Sequence, residues 1–248
     1  MSFCTVIPTY NNARTVADIV RRTLKVCEDV IVVNDGSTDS TLHELQPFGS
    51  NITLISYSRN RGKGYALRRG LEVARAAGHD NAVTIDSDGQ HAPEEIPLLL
   101  QAVGQRPTLV VGSRWQDAGD ADNLPQGMPA GNTFANRFSN FWFRVQTGLR
   151  LPDTQTGFRV YPLHALPCLH LLTYRYESEL ELLVFSAWRG VNIVPVPVSV
   201  SYPDDRVSHF RPFRDFFRIS ILNTILCLLA IVYGYPRMII TKLLTHNS

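Results

Sequence analysis

The sequence has no CxxC pair and no Cys/His spacing of the zinc-binding kind; its four cysteines, Cys4, Cys27, Cys168 and Cys227, stand far apart. That excludes a Cys/His zinc site and leaves small buried hydrophobes in a reducing compartment. It has no excess of one charge, with 24 Lys and Arg against 22 Asp and Glu, and a net charge of +2. Nothing in that balance supports DNA or RNA as a partner. There is no internal repeat and no low-complexity tract. The first residues show no basic region followed by an apolar core and a cleavage site, so the cytoplasm is the expected compartment. The 248 residues suffice for one well-buried α/β domain, with little left for a second.

What is present alternates strand and helix signals. Apolar, β-branched runs at Phe3 to Ile7, Val30 to Val33, Ile52 to Ile55, Ala82 to Ile85 and Leu109 to Val111 predict strands. Helical stripes fall at residues 12 to 27, 64 to 77 and 94 to 103 between them. Strands this uniformly apolar belong to a parallel sheet covered by helices on both faces. The second half differs. Residues 115 to 131 are rich in Gly, Pro, Asp and Asn and read as a long surface loop, of the kind that often serves as a lid. An aromatic helix is expected over 133 to 147, another helix over 178 to 189, and a strand over Val191 to Val200.

The polar residues stand where strands end, which is where doubly wound sheets bind ligands. Strand one runs into Pro8-Thr9-Tyr10-Asn11, strand two into Asn34-Asp35-Gly36, and strand four into Asp86-Ser87-Asp88-Gly89-Gln90. Asp86 and Asp88, one residue apart, can reach one hard cation, and Gln90 adds a further oxygen. Mg²⁺ and Mn²⁺ prefer such ligands and bridge them to substrate phosphates. Strand three leads to Arg59-Asn60-Arg61-Gly62-Lys63-Gly64, a cationic, glycine-containing entry to a helix that suits phosphate. It is no Rossmann fingerprint, because Leu67 takes the place of the third glycine, and no P-loop motif occurs.

In order, VIPTYN (6–11), VVNDGSTD (32–39), NRGKGYA (60–66), DSDGQ (86–90), GSR (112–114) and TGFR (156–159) make the chain resemble the inverting family-two glycosyltransferases of the GT-A fold. Within them it is most similar to the dolichol-phosphate mannosyltransferase and polyprenyl-phosphate glycosyltransferase group. The resemblance covers residues 3 to 210. It implies that Pro8, Tyr10 and Asp35 line the nucleoside pocket, with Lys63 on the nucleotide side. Asp86, Asp88 and Gln90 would surround a Mg²⁺ or Mn²⁺ ion and the diphosphate. Arg114 and Arg137 would face the donor diphosphate or a phosphorylated acceptor. Asp153 and Arg159 would approach the transferred sugar and the acceptor, and Glu177 and Glu179 match an acidic segment near the acceptor. Arg206, Ser208 and His209 match a basic phosphate-binding stretch, but His209 stands where lysine is usual, and the glycine common before the serine is missing.

Beyond Tyr202-Pro203 a tail begins, so the expected domains are 1–205 and 206–248. Arg211, Arg214 and Arg218 share one helical face, with Phe210, Phe213 and Phe217 beside it. That pattern suits an anionic membrane surface. Ile219 to Tyr235 carries no charge. It is somewhat short of the roughly 20 residues of a membrane span, so a helix packed on the domain or between copies of the chain is the alternative.

These readings imply transfer of a sugar from a GDP- or UDP-linked donor, with inversion, to a lipid-linked acceptor, at the cytoplasmic face of a membrane. A polyprenyl phosphate acceptor would need no strong base; a hydroxyl acceptor would, with Asp153 or Glu177 as candidates. A sugar nucleotidyltransferase would need a Gly-rich, Arg-containing loop directly after strand one, which is missing. A non-catalytic sugar-nucleotide-binding membrane module would not require the intact DSDGQ.

Overall fold

Strands β1 (Phe3–Thr9), β2 (Val30–Asn34), β3 (Thr53–Ser56), β4 (Asn81–Thr84), β5 (Thr108–Ser113), β6 (Arg159–Pro162) and β7 (Asn192–Pro197) form one sheet in the order β3-β2-β1-β4-β6-β5-β7. The structure is a computed structural model that describes residues 1–115, 130–166, 173–202 and 212–246. All strand pairs are parallel except those of β6, which runs antiparallel between β4 and β5. The expected mostly parallel α/β sheet is therefore present. β6 has no counterpart in the sequence reading, because its four residues sit within a turn-rich segment and give no periodic signal.

The period of two along each strand divides the core. Val6, Ile31 and Val33 join an apolar cluster with Leu67, Leu71, Leu183 and Trp188 on one face of the sheet. Ile7, Val30 and Val32 join Ile19, Val20, Ile96 and Leu99 on the other. The first layer is covered by α3 (Lys63–Ala76), α5 (Ala130–Thr147) and α6 (Glu177–Trp188), and the second by α1 (Val16–Thr23) and α4 (Ile96–Gln101). A short helix α2 (Thr41–Leu45) follows β2. At the sheet's edge β3 leaves Leu54 exposed, so burial on both faces does not extend to it.

Several helices are shorter than their stripes. α1 starts only at Val16, because Asn11 takes a positive φ and the amides of Asn12 and Ala13 bond to Thr41 and Asp39 instead of propagating a helix. Pro93 opens a 3₁₀ turn over Pro93–Glu95 that delays α4 to Ile96. β7 stops at Pro197, and beyond it Val200 makes an isolated bridge to His91. The expected loop over 115 to 131 lies largely outside the described residues, and α5 begins at Ala130. Cys4, Cys27 and Cys227 are free thiols, and burial pushes the Cys4 thiol up to about 12.

The C-terminal chain forms α7 (Pro212–Leu229), a π-helical turn Ala230–Gly234, and α8 (Tyr235–His246). Leu222, Leu226 and Ala230 belong to the same core cluster as α3 and α6. Asn223 Oδ1 accepts from Gln146 Nε2 at 2.9 Å, and Trp188 Nε1 donates to the Gln146 carbonyl at 2.8 Å. Gly234 lies so close to Trp188 that a Cβ there would come within 2.5 Å of the indole. The opposite side of this helix exposes Phe217, Leu228, Ile231, Val232, Ile239 and Leu243. By length and composition Phe217–Thr241, with a mean hydropathy of 1.8, is long and apolar enough to cross a membrane.

Candidate active site

The carboxyl ends of β1, β2 and β4 open into one cavity of about 750 Å³, closed from the other side by residues 154–157, the start of α6, and Ile219 of α7. That volume lies in the usual range for small-ligand sites. Pro8, Tyr10, Asp35, Lys63, Asp86, Asp88, Gln90, Arg114 and Glu177 all stand on its wall, so most residues expected at the site come together there.

Asp35 is buried at the end of β2. Its Oδ1 accepts from the Arg61 amide at 2.9 Å and its Oδ2 from the Gly62 amide at 2.7 Å. The carboxylate therefore holds the cationic loop 59–62 in place as well as lining the cavity. Burial pushes its pKa up, outweighing those two donors.

In the DSD run, Ser87 turns inward. Its hydroxyl donates to Thr9 at 3.0 Å and accepts from Asn12 Nδ2 at 2.7 Å, which pins the segment to β1 and its following loop. Asp86 meets Lys63 Nζ through both carboxylate oxygens, at 2.8 and 2.9 Å, and Lys63 Nζ also lies 3.0 Å from Glu179 Oε2. Burial raises the Asp86 pKa, but the ammonium prevails and the net shift is downward. Among the described residues Asp88 has no such cationic partner. Burial and the neighbouring Asp86 charge push it up to about 6, against donation from Gln90.

Gln90, on the same wall, also contacts Asp88. Its Nε2 donates to Asp88 Oδ2 at 2.8 Å and its backbone amide to Oδ1 at 3.0 Å, so it orients Asp88. Among the described residues no three of Asp, Glu, His and Cys gather as a metal-holding group. Two carboxylates on a cavity wall still fit a Mg²⁺ or Mn²⁺ ion that takes its remaining ligands from water and phosphate, since Mg²⁺ commonly binds through one or two carboxylates.

Arg114 lies on the wall and Asp153 behind it. Arg114 Nε donates to Asp153 Oδ2 at 2.6 Å and Nη2 to Oδ1 at 2.9 Å, and the amides of Arg114 and Gln155 add bonds at 3.3 and 3.0 Å. Asp153 is fully buried and does not line the cavity. Both of its oxygens are engaged by Arg114, whereas a base must reach the proton it takes.

Arg159 is likewise turned into the protein. Fully buried at the start of β6, it donates to the carbonyls of Thr156 (2.8 Å), Thr154 (2.9 Å) and Glu179 (2.8 Å). It fastens the 154–157 turn to α6 and does not itself line the cavity. That turn brings Gly157 onto the acidic cluster, where a Cβ would lie 2.7 Å from Asp86 Oδ2 and 2.9 Å from Lys63 Nζ.

Glu177 and Glu179, in the first turn of α6, are both buried. Glu177 Oε1 lies 3.8 Å from Arg218 of α7, while its Oε2 has no hydrogen-bond partner among the described residues. Arg137 is exposed on α5 and does not line the cavity. Arg206, Ser208 and His209 lie outside the described residues.

The sequence reading missed His91 and Ile219, both on the wall. His91 is buried against Phe158, with Nε2 3.4 Å from Thr156 Oγ1, and burial pushes its pKa down to about 4, so it is neutral near pH 7. Its only signal was its place directly after Gln90.

A sheet of this order, with an acid pair at the end of β4 and a cavity above it, defines a glycosyltransferase of the GT-A type. The chain belongs to glycosyl transferase family 2, whose profile matches residues 4–169. It is 30% identical over 241 residues to the UDP-N-acetylglucosamine–dolichyl-phosphate N-acetylglucosaminyltransferase of Methanococcus voltae, covering 88% of this chain and 94% of that one. It is also 30% identical over 211 residues to the polyprenol monophosphomannose synthase of Mycolicibacterium smegmatis, covering 78% and 75%. Among solved structures, glucosyl-3-phosphoglycerate synthase from Mycobacterium tuberculosis, in complex with Mn²⁺, UDP and phosphoglyceric acid, superposes with a TM-score of 0.64 at 22% identity, covering 92% of this chain and 78% of that one. This last likeness shows the fold.

Proposed function

We propose that this glycosyltransferase moves a sugar from a GDP- or UDP-linked donor, with inversion, to a polyprenyl phosphate at the cytoplasmic face of a membrane. The observation that carries the reading is that Asp86, Asp88, Asp35 and Arg114 share a cavity with Ile219, a residue of the apolar α7. One wall suits a nucleoside diphosphate, and the other is continuous with a helix whose outer side is apolar. The M. voltae relative is a dolichyl-phosphate N-acetylglucosaminyltransferase and the M. smegmatis relative a polyprenol monophosphomannose synthase, which supports the same acceptor class.

In this reading Pro8, Tyr10 and Asp35 hold the nucleoside, and the loop that Asp35 fastens shapes the entrance for the diphosphate. Arg114, kept in one orientation by Asp153, lies against the diphosphate as negative charge develops on it, a preorganised electrostatic role. An oxygen of the acceptor phosphate attacks the anomeric carbon. The bond from that carbon to the diphosphate breaks on the opposite side, and the nucleoside diphosphate leaves with the electron pair. A divalent cation held by Asp86 and Asp88 would supply further positive charge against the departing diphosphate. The attacking phosphate oxygen is already anionic, so no base is required. That agrees with Asp153 being engaged by Arg114. A hydroxyl acceptor is the second reading, and Glu177 Oε2, without a partner, is the carboxylate that favours it.

The test supplies UDP- and GDP-sugars with Mg²⁺ or Mn²⁺ to the full chain and membrane lipid extract, and identifies the product by mass spectrometry. A glycosyl-phosphoryl-polyprenol is expected. Transfer solely to lipid or saccharide hydroxyls would replace the phosphate acceptor, and release of pyrophosphate from a nucleoside triphosphate would replace the reaction class.

A further inference from the structure

Lys63 Nζ stands between two carboxylates that come from distant parts of the chain. It touches both oxygens of Asp86, at 2.8 and 2.9 Å, and Glu179 Oε2, at 3.0 Å. Three elements meet there: the first residue of α3, the end of β4 and the first turn of α6. Glu179 is fixed from behind, because its carbonyl accepts from Arg159 and its side chain is 8% exposed. Gly157 closes the cluster from the side of residues 154–157.

An ammonium against both oxygens of Asp86 occupies the carboxylate that a divalent cation needs. A cation that reaches Asp86 must displace the ammonium, and a displaced ammonium left in this half-buried cluster without a carboxylate would oppose the exchange. Glu179 removes that obstacle, since it already contacts Lys63 and requires no rearrangement of the backbone.

We propose that Glu179 is a positioning residue that takes Lys63 away from Asp86 when the cation arrives, so that Lys63 and the cation exchange at Asp86. The inference rests on the divalent-cation reading above. It differs from a purely structural role for Glu179 in the sign of one double substitution. Glu179→Gln leaves Lys63 with Asp86 as its one carboxylate among the described residues, and the ammonium then competes more strongly with the ion. Removing Lys63 as well eliminates the competitor. A cluster that merely supports the fold behaves in the opposite way, because a second loss deepens the first.

The experiment titrates MnCl₂ into the full chain and reads free Mn²⁺ by electron paramagnetic resonance, with thermal melts confirming that each variant is folded. Glu179→Gln is expected to weaken Mn²⁺ binding roughly ten- to a hundredfold, the range for outer-sphere partners of metal ligands. Lys63→Met combined with Glu179→Gln is expected to recover most of that loss, and Lys63→Met alone to bind at least as tightly as the wild type. Wild-type affinity in Glu179→Gln, or a double variant no better than Glu179→Gln, overturns the proposal while leaving the cation reading intact. A wild type that binds no Mn²⁺ removes the cation reading and this inference together. Should Glu179→Gln not fold, Lys63→Met decides alone, and weaker binding by it overturns the exchange.

Discussion

Asp153 holds Arg114 from behind, through two charge-assisted hydrogen bonds of 2.6 and 2.9 Å, and is itself fully buried. The pair makes a wall cation of fixed direction, and it makes Asp153 its support. Breaking one side of a buried pair leaves the other charge uncompensated, at about 3 to 5 kcal/mol. Arg114→Ala is therefore expected to lower the urea midpoint strongly, and Arg114→Met combined with Asp153→Leu to recover much of the loss. Additive losses in the double variant would show that the two do not act as a pair.

Asp88 sets the pH dependence of cation binding. Its carboxyl, pushed up to about 6, is protonated in the cation-free protein below that value. Mn²⁺ affinity should therefore fall about tenfold per pH unit below about 6 and level off above about 7, because the ion competes with the proton. The stability sign runs the other way. A folded pKa above the unfolded one favours folding at low pH, and that advantage is lost as pH rises from about 4 through about 6. Asp88→Asn should thus be more stable than the cation-free wild type at pH 7, with the difference vanishing near pH 4, while losing divalent-dependent turnover. A pH-independent Mn²⁺ affinity between 5 and 7 would contradict this.

Asp35→Ala leaves the amides of Arg61 and Gly62 without their acceptor. Donor affinity should drop more than metal affinity, and amide exchange across 59–62 should accelerate, each lost buried bond being worth about 1 to 3 kcal/mol. An unchanged donor dissociation constant by calorimetry, with unchanged exchange, would show that the loop holds itself.

Truncation after Phe217 would remove Leu222, Leu226 and Ala230 from the core, so it destabilises the catalytic domain as well as shortening the tail. The membrane reading is better tested on the outer side of the helix. Replacing exposed Phe217, Ile231 and Val232 with Glu should preserve the melting temperature and reduce co-sedimentation with anionic vesicles at least about tenfold, given roughly 1.5 to 3 kcal/mol for each fully buried apolar side chain. Replacing Arg211, Arg214 and Arg218 should cost up to about 3 kcal/mol of attachment, an effect that shrinks as salt rises. Full-strength vesicle binding by both sets would leave this face free for a contact between copies of the chain.

The strand ends were legible because apolar runs broken by polar turn residues report both the sheet and its ligand edge. Pro8, Asp35, Asp86 and Asp88 follow from that pattern. What periodicity could not convey is which polar side chains turn inward. Asp153 and Arg159 look like exposed site residues in sequence, yet each is consumed by partners inside the fold: Arg114 for one, three carbonyls for the other. Glu177 and Glu179 are legible in sequence only as an acidic segment; their partners Lys63 and Arg218 are brought to them by α3 and α7. The tail's apolar run is plain in sequence, but its seat against Trp188 depends on Gly234, which reads as an ordinary interruption.

β4 and β5 meet in the sheet only through β6, which enters between them from much later in the chain. During synthesis Asp86 and the segment leading to Arg114 are therefore complete long before anything joins them. Non-local pairings of this kind form slowly, since the entropy of closing the intervening loop is lost before the contacts compensate for it. The cavity is accordingly a late product of folding. Because Glu177, Glu179 and Ile219 also line the cavity, its wall is complete only once α6 and α7 have been made.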